Sequence, residues 1–417
     1  MVSISRRRLL QASAGVVPAV ALGVRPAEAP SRAPVTTGVV PPQLAGFDQA
    51  VQKWIAERGI TCAQLAVAKR GKILLARGYG SYTRAGVTTP VQPTSLFRIA
   101  SLSKNITAAA VARLAQDGRL DLGTPVTELL GLSPKADPRL ADVTPWRLLQ
   151  HSGGWDRNVS IDQLFADATI SAVLDEPLPV GLDDIIAYTT SRRLDFAPGS
   201  RVAYSNYGYL LLGRIIEKVT GQSYESYVRQ TLLSPLRITR LQLGRSLAAR
   251  AWPTEVTYDS KDTRKTVLND DGAGVPRPYG GFNLENQLSN GRWVASAVDL
   301  VKWGFVFDAP GPVLDSTSLS RTFAVPETGV GSGGSWYGLG WYVRRNTLGS
   351  LNTWHNGSLS GTWSYLARIL DGISYCAIFN RRAEEGSPEF DSIDPVLYAA
   401  ATSVTSWPTT DLTPDYF

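Results

Sequence analysis

Segments typical of β-strands occur at both ends of this sequence, separated by a long stretch that favours helices. Cys62 to Lys69 and Ile73 to Tyr79 are apolar runs rich in β-formers, and Arg70-Gly71 between them predicts a hairpin. Strand patterns return only late, at Leu339 to Val343, Asn352 to His355, Thr362 to Ile369 and Ser374 to Phe379. The sequence therefore predicts an α+β fold. Its antiparallel sheet, built from about residues 60–80 and 337–380, is covered by a mostly helical region of about residues 101–330.

Several helices are marked by apolar periodicity and by residues typical of helix ends. Leu44 to Ile55 has helical spacing and Gly59 follows as a stop signal, while Leu210 to Val219 is followed by Gly221. Three more helices are expected at Thr107 to Ala115, after Thr144-Pro145, and after the capping-box sequence Ser296 to Asp299.

The amino terminus has the order of an export signal. Arg6 and Arg7 precede an apolar run from Leu9 to Val24, and the small-residue segment Ala27 to Ala29 follows it. We predict a twin-arginine signal over residues 1–29 and a secreted or periplasmic protein, with a single domain over residues 40–417. The alternative is a basic, disordered arm. The apolar run is too short and too polar to span a membrane.

Composition excludes several classes of function. The chain is 43% hydrophobic and 19% charged, as expected of a globular protein. Loss of residues 1–29 would remove four arginines and one glutamate and lower the net charge from +6 to +3, which leaves no basic cluster for nucleic acid. With two cysteines, two histidines and no CxxC or HExxH, we expect neither a metal nor a cofactor.

Residues Gly329 to Gly334 match the GxGxxG pattern of dinucleotide-binding proteins. No strand is predicted before this segment and no helix after it, so we interpret it as a loop.

Ser101 and Lys104 form the first chemically informative pair. At a spacing of three residues near a helix start they share one face, so the amine can reach the hydroxyl and produce a nucleophile. The free N–H groups of a helix start also favour negative charge that develops beside Ser101. The pattern is weak alone, because an ordinary helix start can carry it by chance.

With its companion motifs, the sequence resembles the serine β-lactamase and penicillin-binding-protein superfamily, in its class C, DD-peptidase and family VIII esterase branch. The resemblance covers nearly all of residues 40–417 and implies the β-lactamase/transpeptidase-like fold. The three family motifs occur in order as Ser101-Leu102-Ser103-Lys104, Tyr204-Ser205-Asn206 and His355-Asn356-Gly357. His151-Ser152-Gly153 also fits the third motif, but it follows a predicted helix and precedes Tyr204, so we assign the motif to His355.

The resemblance implies a role for each motif residue. Ser101 is the nucleophile and Lys104 its base, and Tyr204 exchanges a proton with Ser101 and the leaving group if nearby cations lower its pKa. Asn206 would hold the substrate's acyl amide and Lys104. His355 would be a catalytic residue, and Asn356 and Gly357 would bind the substrate. The N–H groups of Ser101 and Ser358 would form the oxyanion hole. The alternatives are a structural, buried tyrosine for Tyr204 and an ordinary strand histidine for His355.

The third motif also bears on the substrate. Tyr-Ser-Asn followed by a histidine resembles the secreted DD-peptidases of the branch, but Asn356 replaces the threonine whose hydroxyl would bind a carboxylate. We therefore expect an exported serine hydrolase that cleaves D-amino-acid peptides, as a DD-carboxypeptidase does, or small esters. The alternatives are a class C-like β-lactamase and a non-catalytic penicillin- or muropeptide-binding protein. The expected partner is a small-molecule or peptide substrate, and a monomer is the default.

The two cysteines are expected to be free, although an exported protein would normally favour a disulfide. If the family sheet is present, the two strands run antiparallel, with Cys62 at the start of one and Cys376 near the start of the other. An offset of about five residues would separate them by about 15 Å, beyond disulfide reach.

Overall fold

The sheet of this computed structural model, which describes residues 34–417, joins strands from both ends of the chain. Its order is β1-β3-β2-β14-β13-β12-β11-β10, with β4 paired to β3. The strands are β1 (Thr36–Val39), β2 (Cys62–Lys69), β3 (Lys72–Arg84), β4 (Val87–Pro90), β5 (Phe97–Arg98), β6 (Gln242–Leu243), β7 (Thr263–Lys265), β8 (Gly274–Pro276), β9 (Trp293–Ala295), β10 (Ser335–Tyr337), β11 (Tyr342–Arg345), β12 (Leu351–Leu359), β13 (Thr362–Ile369) and β14 (Ile373–Phe379).

Most helices lie between β5 and β10. They are α1 (Ala45–Glu57), α2 (Ser103–Gln116), α3 (Val126–Leu130), α4 (Pro145–Leu149), α5 (Asp167–Leu174), α6 (Leu182–Thr190), α7 (Asn206–Thr220), α8 (Tyr224–Val228), α9 (Ala297–Gly304), α10 (Ser316–Thr322), α11 (Ile393–Thr402) and α12 (Thr413–Tyr416). The predicted α+β fold, with a sheet from both ends and a helical insertion, is confirmed.

The pairing of β2 with β14 closes the sheet between the two ends of the chain. These strands are antiparallel, with Leu65 opposite Ala377, and both are buried on both faces. One face packs against α1 and α11 through a cluster that includes Phe47 and Leu397. Residues of the other face, such as Cys376, join a larger cluster that extends into the helical region. Burial on both faces explains why the β2 sequence is mostly apolar rather than alternating.

Residues typical of helix ends correctly predicted where several helices begin or end. The Thr144 side chain accepts the Arg147 N–H at the start of α4, and Gly221 ends α7 in the left-handed conformation. Helix α7 begins at Asn206, four residues before the predicted start, because the Ser205 side chain caps it by accepting the Gly208 N–H. That cap places Asn206 in the first turn of the helix.

Some strands differ from the predictions. Strand β12 continues to Leu359, beyond the predicted His355, and β11 begins only at Tyr342 because Gly340 turns the chain with a φ of +77°. The helical region also contains a small sheet of β5, β9 and β6 and a hairpin of β7 and β8. Strands of two or three residues are too short to produce a recognisable period.

Residues 34–417 form one compact unit, which includes β1 ahead of residue 40. No helix among these residues combines the length and apolar character needed to cross a membrane. The predicted export signal lies outside the described residues and stays a prediction. The loop predicted at Gly329 to Gly334 precedes β10 and is not part of a helix or strand.

We expect two thiols per chain in unreduced protein that has been denatured. Cys376 lies opposite Ala66 in the sheet, and Cys62 is four residues from that position, a separation of about 13 Å. Both side chains are buried, and burial raises the pKa of Cys62 to about 12 and that of Cys376 well above its usual value. Titration with a disulfide reagent should therefore be fast after denaturation and slow before it. A count of zero thiols in the denatured, unreduced protein would contradict the register of β2 and β14.

Candidate active site

Ser101 lies in a short 3-10 segment, Ala100–Leu102, that leads directly into α2. Strand β12 passes close to this segment at Gly357. A Cβ atom on Gly357 would lie 2.2 Å from the Ile99 carbonyl oxygen and 3.1 Å from the Ser101 nitrogen. Only glycine therefore allows the strand to come this close to Ser101.

The Lys104 amine is buried and lies 3.1 Å from Ser101 Oγ. It also donates to Asn206 Oδ1 at 2.8 Å and to the Asn290 carbonyl at 3.0 Å. Burial lowers the pKa of Lys104 well below its usual 10.5, although the Asp162 carboxylate opposes the shift. A neutral amine has two N–H groups and one lone pair. The two carbonyl acceptors take the N–H groups, which leaves the lone pair for the Ser101 hydroxyl proton.

Asn206 connects Lys104 to a carboxylate that the sequence did not indicate. Its Nδ2 donates to Asp162 Oδ2 at 2.7 Å, and this contact orients Oδ1 toward Lys104. Asp162 is held in turn by the Leu164 N–H. Contact of Asn206 with a substrate stays a prediction.

The Tyr204 ring lies between Lys104 and His151. Its centroid is 4.8 Å from Lys104 Nζ and 4.2 Å from the centre of the His151 ring. The proton-exchange role of Tyr204 was made conditional on nearby cations lowering its pKa, and this condition is not met. Burial raises its pKa well above 10, and the hydrogen bond with Ser101 opposes that rise only in part. Tyr204 is therefore a protonated phenol, able to donate a proton.

His355 is buried and faces Tyr337 rather than the space in front of Ser101. Its Nε2 lies 2.9 Å from the Tyr337 hydroxyl, and its Nδ1 lies 2.6 Å from the Asn356 carbonyl. Since a carbonyl can only accept, Nδ1 carries the proton and Nε2 accepts from Tyr337. Burial, with a smaller effect of Lys104, lowers the pKa of His355 to about 3. The imidazole is neutral at physiological pH.

A cavity of about 380 Å³ opens in front of Ser101. It is lined by Ser101, Arg157, Asp162, Phe165, Asn206, Arg277, Phe282, Gln287, Asn290, Gly291, Ser358, Leu359, Ser360 and Arg382. Asn356 is not among these residues, and its amide nitrogen lies 3.5 Å from Asp391. Ser358 does line the cavity, and the oxyanion role of its N–H stays a prediction. Among residues 34–417, no group of three or more His, Cys, Asp or Glu side chains is placed to hold a metal ion.

Sequence reasoning missed residues that come to the site from distant loops. Asp162 and Asn290 carry no motif, so no local signal could have identified them. His151 was set aside as a second match to the third motif, yet it stacks on Tyr204 and its Nδ1 accepts the Ser205 N–H at 3.2 Å. It thereby helps to fix the tyrosine that we predicted to be catalytic.

The chain belongs to the Beta-lactamase family, whose model matches residues 47–394. Protein flp of Staphylococcus aureus (strain COL) is 30% identical over 333 residues, which cover 77% of this chain and 59% of that protein. The chain spans 32% to 59% of the length of the first curated relatives it matches.

Solved structures agree with this family. The octameric penicillin-binding protein homologue from Pyrococcus abyssi superposes with a TM-score of 0.67 at 25% identity, over 88% of this chain and 79% of that chain. D-amino acid amidase from Ochrobactrum anthropi SV3, complexed with D-phenylalanine, has a TM-score of 0.67 at 23% identity, over 87% and 98%. The family match and the shared fold together place the chain in the serine β-lactamase/transpeptidase superfamily, as the motifs suggested.

Replacement of Lys104 by arginine should slow the reaction of Ser101 with a fluorophosphonate by several orders of magnitude. A guanidinium stays protonated and cannot accept the serine proton. In the wild type the reaction rate should rise as the pH is raised through the lowered pKa of Lys104, well below 10.5. Lys53→Arg, on an exposed lysine of α1, is the matched control and should react like the wild type. A loss of less than about tenfold for Lys104→Arg would assign the base role to Tyr204 instead.

Proposed function

We propose that this protein is a serine hydrolase that works through an acyl-enzyme on Ser101. The observation that carries the proposal is the buried Lys104 amine, 3.1 Å from Ser101 Oγ, with both of its N–H groups engaged by carbonyl acceptors. Ser101 attacks the substrate carbonyl while its proton passes to Lys104. The backbone N–H groups of Ser101 and Ser358 then stabilise the oxyanion.

Tyr204 completes the first half of the reaction. Its phenol donates a proton to the leaving nitrogen or oxygen as the bond to the carbonyl carbon breaks, and it recovers a proton from Lys104. Water then attacks the acyl-Ser101 ester, its proton passes to the same basic pair, and Ser101 regains its hydroxyl proton. The net reaction is hydrolysis of an amide or ester, and it needs no metal or cofactor.

We further propose that the acyl group derives from a D-amino acid. Structural neighbours described as a D-amino acid amidase and a D-stereospecific amidohydrolase support this class, as does the Tyr-Ser-Asn motif followed by histidine. The neutral His355 favours leaving groups without a carboxylate, because it supplies no fixed positive charge at that motif. Amides and simple esters of D-amino acids therefore fit better than penicillins or cephalosporins.

Ser101→Ala should abolish both turnover and covalent labelling. The variant lacks the attacking oxygen but keeps its fold, since Ser101 is only partly buried. Fluorophosphonate labelling followed by peptide mass mapping checks this result. The matched control is Ser316→Ala, at the exposed start of α10, which should label normally. Labelling of the wild type at a serine other than Ser101 would contradict the assignment, and absence of labelling would support a non-catalytic binding protein.

The wild type should hydrolyse an N-acyl-D-alanine amide or p-nitrophenyl ester more efficiently than the matching N-acyl-D-alanyl-D-alanine or a chromogenic cephalosporin. His355→Lys combined with Asn356→Thr should shift kcat/KM toward the substrates that carry a carboxylate, by up to about 2 kcal/mol for one charge-assisted contact. Asn356→Thr alone, which adds no charge, should shift it less. If the cephalosporin is the best substrate of the wild type, the β-lactamase alternative is correct.

A further inference from the structure

The cavity in front of Ser101 carries an excess of positive charge that the acyl-transfer steps do not use. Three arginines line it, Arg157, Arg277 and Arg382. Among the described residues that line it, the only carboxylate is Asp162, which is engaged by the Asn206 amide. A substrate held in this cavity is therefore exposed to a positive potential.

Of the three arginines, Arg382 is the one with a buried donor that has no partner among the described residues. Its Nε is buried and has no hydrogen-bond partner within residues 34–417, and its guanidinium forms no ion pair there. The neighbouring Arg381, in contrast, pairs with Asp259 at 3.4 Å. A guanidinium offers five N–H donors, and a buried donor without a partner costs free energy. A ligand anion would supply the missing acceptor.

Nearby carboxylates are already engaged by other groups. Glu384 accepts from the Ser260 hydroxyl and from the Lys261 N–H. Asp262 accepts from Arg277 Nη1 at 2.6 Å and lies 3.3 Å from Arg264 Nε. Arg277 is therefore held in place by one carboxylate while it lines the cavity, and Arg382 is left for a ligand.

The sheet register places Arg382 at one end of the site. Strand β14 ends at Phe379, which lies opposite Trp363 in β13, and Trp363 lies opposite Ser358 in β12. Arg382 follows three residues after Phe379 and lines the cavity together with Leu359 and Ser360. It therefore lies beyond Ser358 along β12, on the side away from His355.

The catalytic groups assign this end to the acyl part of the substrate. The leaving group must receive its proton from Tyr204, whose ring centroid lies 6.4 Å from that of His355. The leaving group therefore occupies the end of the site near His355. The acyl substituent must extend the other way, past Ser358 toward Arg277 and Arg382.

We propose that Arg277 and Arg382 bind a carboxylate on the acyl part of the substrate. The preferred substrate is then a D-amino acid amide, ester or peptide whose amino group bears an acyl chain that ends in a carboxylate. A planar carboxylate can accept two parallel N–H groups from a guanidinium, which is a strong and directional contact. The inference rests on the proposed function, since it names the substrate class of the same site.

The test compares two substrates that differ by one charge, N-succinyl-D-alanine p-nitroanilide and its succinyl methyl ester. The wild type should prefer the charged substrate by about tenfold or more in kcat/KM, and salt should weaken the preference. Arg382→Gln should reduce the ratio to near one. The matched control is Arg264→Gln. Arg264 is an exposed arginine that pairs with Asp262 but does not line the cavity, so its loss removes one positive charge and should leave the wild-type ratio unchanged. Equal rates for the two substrates in the wild type, or an unchanged ratio in Arg382→Gln, would overturn the proposal.

A second measurement separates this proposal from the proposed function. N-succinyl-D-alaninamide and its methyl ester are used as competitors that slow fluorophosphonate labelling of Ser101, which requires no hydrolysis of either compound. Better protection by the charged competitor in the wild type but not in Arg382→Gln supports the subsite even if no p-nitroanilide is hydrolysed. Equal protection by both competitors overturns the subsite, even in an enzyme that hydrolyses D-amino acid amides.

Discussion

The close approach of β12 to the segment before Ser101 is the constraint on which the site depends. Gly357 leaves room for the Ile99 carbonyl, and two hydroxyls of β13 hold the same segment: Ser364 donates to Ile99 and Thr362 donates to Arg98, each at 2.8 Å. Ser101, the proposed nucleophile, is thus fixed to the sheet before α2 begins. Because the chain's two ends build that sheet, the position of Ser101 depends on pairing between segments more than 300 residues apart.

The second requirement is a lysine whose pKa is lowered by burial in the folded chain. Lys104 is enclosed by α7 and by the loop that carries Asn290. Its N–H groups donate to the Asn206 side-chain oxygen, at the start of α7, and to the Asn290 backbone carbonyl. Lys104 has a lower pKa in the folded chain than in the unfolded chain, so at pH values between these two pKa values the unfolded chain binds more protons. The contribution of Lys104 to the free energy of unfolding therefore rises with pH between the two pKa values. At lower pH this contribution destabilises the fold. Burial of Lys104 therefore destabilises the fold at low pH, and packing in the rest of the core offsets this loss.

Local signals predicted the parts of the fold that depend on neighbours in sequence. The β2–β3 hairpin, the Thr144 cap of α4 and the Gly221 stop of α7 were predicted from short patterns. Asp162 and Asn290 could not be predicted, because they reach Lys104 only through tertiary packing. The direction of the pKa shift of Tyr204 could not be predicted for a related reason: the sequence does not show how deeply the ring is buried, and burial has the largest effect on its pKa.

The two ends of the site along β12 differ in charge. At the His355 end, the ring is neutral and its Nε2 accepts from the Tyr337 hydroxyl, so the imidazole itself does not attract a carboxylate. At the Ser360 end, Arg382 has a buried Nε–H for which no described residue supplies an acceptor. Tyr204, the proposed proton donor to the leaving group, lies near His355, so a substrate with a neutral leaving group and an anionic acyl group fits the roles proposed for both ends. The reverse substrate would place its carboxylate at the Tyr204 end, where the exposed Arg157 lies 4.8 Å from the centre of the Tyr204 ring, and would leave the buried Arg382 Nε without an acceptor. Under the two proposals, the unpartnered Arg382 therefore favours one direction of substrate binding as well as an anionic acyl group.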